Sequence, residues 1–310
     1  MKRLINLGLI CFSLVAKASV PFNHIVVFGD SLSDNGNAFE RTQHYVPQTP
    51  PYFQGRFSDG PVWIEYIAKA ISTEENFLQD YALGGAGVTA ENDDIDGVFT
   101  LANEVKDFLQ NNNQVADEES LYVIWIGANN YLILPDDEDE TVDTVKQGTS
   151  KALDKLINAG AKHFLVLNLP ELSRTPLAKS MGEEEHDKLA RYTQKHNAML
   201  DQVMETYRKK HPDVHWYFYN VHQMFNKALE TPENYDITNV TDMCFEEDLA
   251  ANVRLQPVIR MEKLFNIAPP SDCEHYLFFD PVHPTAKAHQ IMAKEVLAEL
   301  SDVFDTSSTS

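Results

Sequence analysis

Residues 26–37 read VVFGDSLSDNGN. A β-branched and aromatic run, the mark of a short buried strand, stops at Gly29 in a cluster of small and polar residues that favour turns. Ser31 stands just past the strand, in Gly-Asp-Ser. It is either a nucleophile exposed on a sharp turn or an ordinary turn residue. The stretch alone does not separate the two.

Outward from it, strands and helices alternate. The strand over 24–28 is followed by a helix over 61–70, with Ser58 or Asp59 placed to cap it and Pro61 near its first position. Then come a short edge strand over 76–78, a helical pattern over 101–111 and a β-rich strand over 121–126 (LYVIWI). An amphipathic helix over 142–159 is closed by Gly160. A strand over 163–169, a long helix over 183–210 ending before Pro212, a fifth strand over 215–219 and a closing helix over 285–300 complete the series. Strands separated by helices imply a parallel sheet covered on both faces, hence a three-layer α/β/α fold. Residues 227–275 fit the alternation poorly and read as an insertion in a single domain spanning 19–305. The acidic run DDEDE at 136–140 reads as a solvated loop rather than a metal site, and 306–310 as a disordered tail.

Residues 1–18 have the form of a cleavable export signal: Lys2 and Arg3, an apolar core over 4–16, and Ala16-Lys17-Ala18 as a small-x-small site. Cleavage after Ala18 makes the protein secreted. Ile10 before Cys11 departs from a lipoprotein signal, and no later stretch is long enough to be a transmembrane anchor. The formal net charge of −22 becomes −25 when Lys2, Arg3 and Lys17 leave. Such an acidic chain is unsuited to nucleic acid or to tight attachment to anionic lipid. Two cysteines remain, Cys244 and Cys273. Export permits a disulfide between them; two buried free thiols are the other reading.

In an open α/β sheet, functional groups gather on loops leaving the carboxyl ends of the strands. Those loops carry Gly29-Asp30-Ser31, then Ala82-Leu83-Gly84-Gly85-Ala86-Gly87, then Gly127-Ala128-Asn129-Asn130; Asp280-Pro281-Val282-His283 precedes the last helix. Together they supply a serine hydrolase: a hydroxyl at Ser31, an imidazole at His283 to take its proton, and a carboxylate at Asp280 to orient that imidazole. The N–H of Ser31, an N–H of the Gly84-Gly85 turn and the amide of Asn129 are candidate donors to an oxyanion. Each piece alone has a structural reading as turn or packing; their order and placement favour the catalytic one. This chemistry needs no metal and no organic cofactor.

The chain resembles the GDSL, or SGNH, family of lipases and esterases. FGDSLSDNGN, GRFSDGPVWIEYIA, YALGGAGV, IGANNY and FFDPVHPT carry the resemblance, which spans 24–300 apart from the insertion. It implies a five-stranded flavodoxin-like sheet, Ser31 as nucleophile, His283 as base, Asp280 as its orienting acid, and Gly85 and Asn129 as oxyanion donors. Two positions depart from the family pattern: Asp80 stands where Asn is usual, and Asn130 where Asp is frequent. Within the family the chain is most similar to secreted bacterial lysophospholipases A and glycerophospholipid–cholesterol acyltransferases. That implies a lipid substrate, a lysophospholipid or phospholipid, met in transient contact with membranes or micelles, and acyl transfer to another alcohol as a second outcome. The alternatives are a short-chain or carbohydrate esterase of the same fold and a binding protein that kept the fold. Residues 245–272, with Arg254, Arg260 and Lys263 among apolar residues, read either as a surface helix hairpin or as a lid over the site.

Overall fold

The computed structural model describes residues 22–89, 99–245 and 272–307. The export signal expected at 1–18, most of the segment expected as hairpin or lid (246–271) and the end of the expected tail (308–310) lie outside the described residues.

The apolar run that opened the sequence becomes β1 (Ile25–Gly29), every residue of which is buried. After α1 (Asn37–Arg41) and α2 (Trp63–Ile71), β2 (Leu78–Asp80) pairs with one edge of β1. Past α3 (Leu101–Asn111), β3 (Leu121–Trp125) pairs with the other edge. Helices α4 (Ala128–Leu132) and α5 (Glu138–Ala159) lead to β4 (His163–Leu167). Helices α6 (Pro176–Ser180) and α7 (Glu183–Lys210) then lead to β5 (His215–Tyr219). All five strands run parallel in the order β2-β1-β3-β4-β5, the expected flavodoxin-like arrangement.

Alternate strand residues face opposite layers, as the pleat requires. Val26, Phe28, Ile124 and Val166 pack with Phe108 of α3, Leu153 of α5 and Leu200 of α7. Ile25, Val27, Val123 and Leu165 pack with Trp63 and Ile67 of α2 and with the last helix, α9 (Ala286–Ser307), through Met292 and Val296. The sheet is thus buried on both sides, which is why its strands read as continuous apolar runs.

Several local expectations change. The acidic run is not a loop: Asp137 caps α5, its carboxylate accepting the Glu140 N–H at 2.9 Å, and Glu138 to Glu140 form the first helical turn. Negative charge there opposes the positive end of the helix dipole, and Glu138 pairs with Arg191 at 2.9 Å and Lys195 at 3.0 Å of α7. Neither Ser58 nor Asp59 caps α2, which starts at Trp63; Glu65 Oε2 takes the Val62 N–H there at 2.9 Å. The described parts of the expected insertion hold α8 (Val221–Glu230), begun directly after β5, and β6 (Asn239–Met243), which pairs in parallel with β7 (Tyr276–Phe278). A disulfide joins Cys244 to Cys273 beside that pair, so the free-thiol reading is set aside.

Helix α5 packs tightly on the chain after β2 at Gly148, where a Cβ would overlap the carbonyl of Thr89 and the side chain of Val88. Gly148→Ala is expected to cost about 1–3 kcal/mol, as overpacking of a tight interior does, read from the urea midpoint; an unchanged midpoint would mean that the contact yields freely.

Candidate active site

The chain turns at once after β1: the carbonyl of Asp30 accepts the N–H groups of Ser33 at 3.0 Å and Asp34 at 3.1 Å. This turn sets Ser31 at the carboxyl edge of the sheet. Strand β7 delivers the second turn, 280–283, to the same place. Ser31 Oγ lies 2.8 Å from His283 Nε2, and His283 Nδ1 lies 2.6 Å from Asp280 Oδ2. One tautomer satisfies both contacts: Nδ1–H donates to the carboxylate and Nε2 accepts the serine proton. That is the geometry in which an imidazole activates a hydroxyl while a carboxylate stabilises the cation formed.

Asp280 is buried, and both of its oxygens are filled. Oδ1 accepts the backbone N–H groups of Val282 at 2.9 Å and His283 at 2.7 Å. Oδ2 accepts the Tyr52 hydroxyl at 2.7 Å beside His283. Burial by itself raises the pKa of this carboxyl, but the charge of His283, with the hydrogen bonds from His283, Tyr52 and Val282, holds it below the ordinary value. The Tyr52 ring is in turn held by edge contacts to Phe57, Phe245 and Phe279. Phe245 follows the disulfide residue Cys244, and Cys273 packs in the same cluster. The segment GRFSDG braces the turn from the other side. Ser58 Oγ donates to the Pro284 carbonyl at 2.9 Å, Asp59 accepts the N–H of Ala286 at 2.6 Å, and the Phe57 ring lies 5.2 Å from that of His283.

The glycine turn enters through Asp34. Its Oδ1 accepts the N–H groups of Gly36 at 2.8 Å and Asn37 at 2.6 Å; its Oδ2 accepts those of Ala38 at 3.1 Å and Gly84 at 2.7 Å. The Gly84 N–H is therefore committed. Gly85, at φ 82°, and Ser31 have backbone N–H groups with no partner among the described residues, and both line a cavity with Asn129 and His283. Asn129 Nδ2 spends one hydrogen on the Ala86 carbonyl at 2.9 Å and retains the other. All residues singled out from the sequence as catalytic or as oxyanion donors meet at this edge.

Both departures from the family pattern have local work. The Asn130 amide accepts the N–H of Val88 and donates to its carbonyl, each at 2.8 Å, a pairing that a carboxylate cannot complete. Asp80 accepts two N–H groups, from Ala82 at 2.9 Å and Asn35 at 3.1 Å. Half-buried itself, it adjoins the buried carboxyls of Asp30, Asp34 and Glu104 behind the Ser31 turn, a set that the sequence did not expose. Burial, opposed by the Leu32 N–H, pushes Asp30 up to about 6. Burial and the charge of Asp34 place Asp80 well above the ordinary range. Glu104, which accepts the Gly29 N–H at 2.9 Å, is raised by burial and by Asp30, Asp80 and Asp34. Tyr52 was missed as well; only its place just ahead of GRFSDG hints at it.

Residues 25–296 match the GDSL-like Lipase/Acylhydrolase family, and the chain belongs to that family of ester hydrolases. It is 28% identical over 332 residues to a phosphatidylcholine-sterol acyltransferase of Aeromonas hydrophila, covering 96% of each chain. It is 28% identical over 295 residues to the thermolabile hemolysin of Vibrio parahaemolyticus (91% of this chain, 65% of that one). With the secreted effector protein SseJ of Salmonella typhimurium it shares 28% identity over 275 residues (87% and 61%). The chain thus spans nearly all of the first relative but under two thirds of the other two.

Two outcomes are expected. Tyr52→Phe keeps the packed ring and removes one donor to Asp280. It should lower kcat by about tenfold, on the order of a hydrogen bond to a charged group, with KM within about twofold. Because Tyr52 helps to hold the Asp280 pKa down, the acid limb of kcat should move to higher pH. Wild-type kcat and profile would show that the hydroxyl does not position the triad. Second, Glu104 keeps its proton in the folded chain above the pH at which the unfolded chain releases it. The contribution of Glu104 to stability therefore falls as pH rises above about 4, the ordinary carboxyl value. Glu104→Gln should shrink the drop in Tm between pH 5 and pH 8 by a few degrees, about 2–4 °C per kcal/mol for a chain of this size; an unchanged drop would remove Glu104 as its source.

Proposed function

We propose that this protein is a secreted serine ester hydrolase that removes a fatty acyl chain from lysophospholipids and phospholipids. Ser31 attacks the acyl carbonyl as His283 takes its proton, with Asp280 holding the imidazole. The N–H groups of Ser31 and Gly85 and the amide of Asn129 stabilise the oxyanion. His283 returns the proton to the departing alcohol, and water, activated by the same imidazole, releases the fatty acid from Ser31. A second alcohol in place of water yields acyl transfer. Residues 1–18 direct export, and the disulfide fits an oxidising destination.

The observation that supports a fatty acyl substrate is the shape of the cavity. From Ser31, after β1, it passes Trp125 at the end of β3 and Leu172 after β4, and reaches Met224 and Phe225 of α8 after β5. Three strand spacings separate β1 from β5, about 14 Å at roughly 4.8 Å each. Apart from the catalytic end the walls are almost wholly apolar, closed by α8, β7 and α9. A channel of this length and lining suits a fatty acyl chain and gives an acetyl group or sugar ring nothing to bind.

Wild-type protein is expected to hydrolyse long-chain lysophosphatidylcholine faster than an acetylated sugar, and fluorophosphonate labelling should be lost in Ser31→Ala. Ala228→Trp, which fills the channel beside α8, should cut the long-chain rate at least about tenfold, the loss of some 1.4 kcal/mol or more, and spare a short ester. Faster turnover of the acetylated sugar, or an equal effect of Ala228→Trp on both chain lengths, would favour the short-chain reading.

A further inference from the structure

We propose that Tyr45 and Ile133 form an apolar rim at the catalytic end of the channel, by which the protein docks onto a zwitterionic phospholipid surface. The inference rests on the lipid-hydrolase reading and extends it to the surface that meets the aggregate. Three large apolar side chains stand out among the described residues as highly exposed: Tyr45 at 72%, Ile133 at 62% and Val115 at 60%. Isolated exposed apolar residues are common and carry no message. Two of these three, however, adjoin residues that line the cavity: Val46 beside Tyr45, and Leu132 beside Ile133. The third lies in the connection from α3 to β3, at the amino end of the sheet, away from the site.

Both rim residues are presented by structured backbone. Ile133 ends α4 in helical conformation four residues after Asn129. Residues four apart share a helix face, so Ile133 stands one turn outward from the proposed oxyanion donor. Tyr45 follows two non-glycine residues in the left-handed region, Gln43 at φ 55° and His44 at φ 70°, and Leu134, at φ 52°, follows Ile133. Such conformations are uncommon for these residue types and cost free energy. The Tyr45 loop is also pinned, the Val46 N–H donating to Thr42 Oγ1 at 2.9 Å. A tyrosine and an isoleucine held out into water beside the mouth of an apolar channel match what a lipid–water boundary accepts. The net charge of −22 disfavours an anionic surface, leaving apolar insertion into a zwitterionic one.

The test uses the full mature protein in a Ser31→Ala background and measures co-sedimentation with phosphatidylcholine vesicles. Binding is expected for the parent and for the added Val115→Ser change, whereas added Tyr45→Ser with Ile133→Ser should weaken it at least about tenfold, a loss short of that for full burial of two such side chains, as partial insertion gives. In the active protein, the double change should lower the ratio of vesicle to soluble short-ester turnover to a similar degree. Replacing part of the lipid by phosphatidylserine should weaken binding. Absence of parent binding, equal binding by the double variant, equal loss in Val115→Ser, or tighter binding to anionic vesicles would each overturn the proposal. Vesicle binding with this pattern but without release of fatty acid from any lysophospholipid would instead sink the hydrolase reading and leave the docking surface standing.

Discussion

A buried carboxylate is tolerated only if its lone pairs are met, and the architecture of the site follows from meeting those of Asp280. Two acceptances come from its own turn, which fixes the path of residues 280–283. One comes from His283 and fixes the ring that faces Ser31. The fourth, from Tyr52, reaches across 228 residues of sequence and ties the turn to the loop ahead of α2. Tyr52 can serve only because Phe57, Phe245 and Phe279 enclose its ring. The disulfide, at the edge of that cluster, is therefore joined to Asp280 through packed side chains and the Tyr52 hydroxyl.

A second carboxylate does for the other half of the site what Asp280 does for the first. Asp34 gathers four N–H groups, three from its own loop and one from Gly84. By engaging the Gly84 N–H it leaves that of Gly85, which lines the cavity, as the proposed donor. The consequence is crowding: burial raises the pKa of Asp30, Asp34, Asp80 and Glu104, the charge of Asp34 raises Asp30 and Asp80 further, and those three together raise Glu104. Like charges in a dry interior oppose folding. Their concentration beneath the turn that presents Ser31 is the sort of conflict between stability and a preorganised site that active centres retain.

These particulars show why some of the molecule could be read from the sequence and some could not. The core strands announced themselves as continuous apolar runs, because the sheet is covered on both faces, and α3 and α7 by periodicity, because each buries one face against it. The strand ends carrying Ser31, the glycine pair, Asn129 and Asp280/His283 were legible because a parallel sheet sends all such loops to one edge. What escaped is tertiary. Tyr52 and Glu104 act through partners distant in sequence, and nothing in their local pattern distinguishes them from core residues. Asp59 was misplaced for the same reason: it caps a helix, but α9, 227 residues further on, rather than its neighbour α2. The run at 136–140 faces solvent, as its charge suggested, but starts α5 instead of forming a loop throughout. Helix α8 was missed because it straddles the start of the segment at 227 that looked irregular as a whole.

The division of labour along the sheet edge has a physical origin in strand order. With β1 and β3 adjacent, the loops after them come together and can share one small polar site. The loops after β4 and β5 lie one and two strands further along and are too distant to touch a reacting carbonyl. They, with α8, contribute Leu172, Met224 and Phe225, and the edge changes from polar to apolar along its length. On the proposed function, the ester bond would sit at the polar end of this line and the acyl tail in the apolar part. The alcohol side of the ester must then point out of the mouth, toward solvent and toward the rim of Tyr45 and Ile133. On this arrangement the head group is held less by enclosure than the acyl chain is, so discrimination among substrates of the same class should rest mainly on acyl length and on how the ester is presented at an interface.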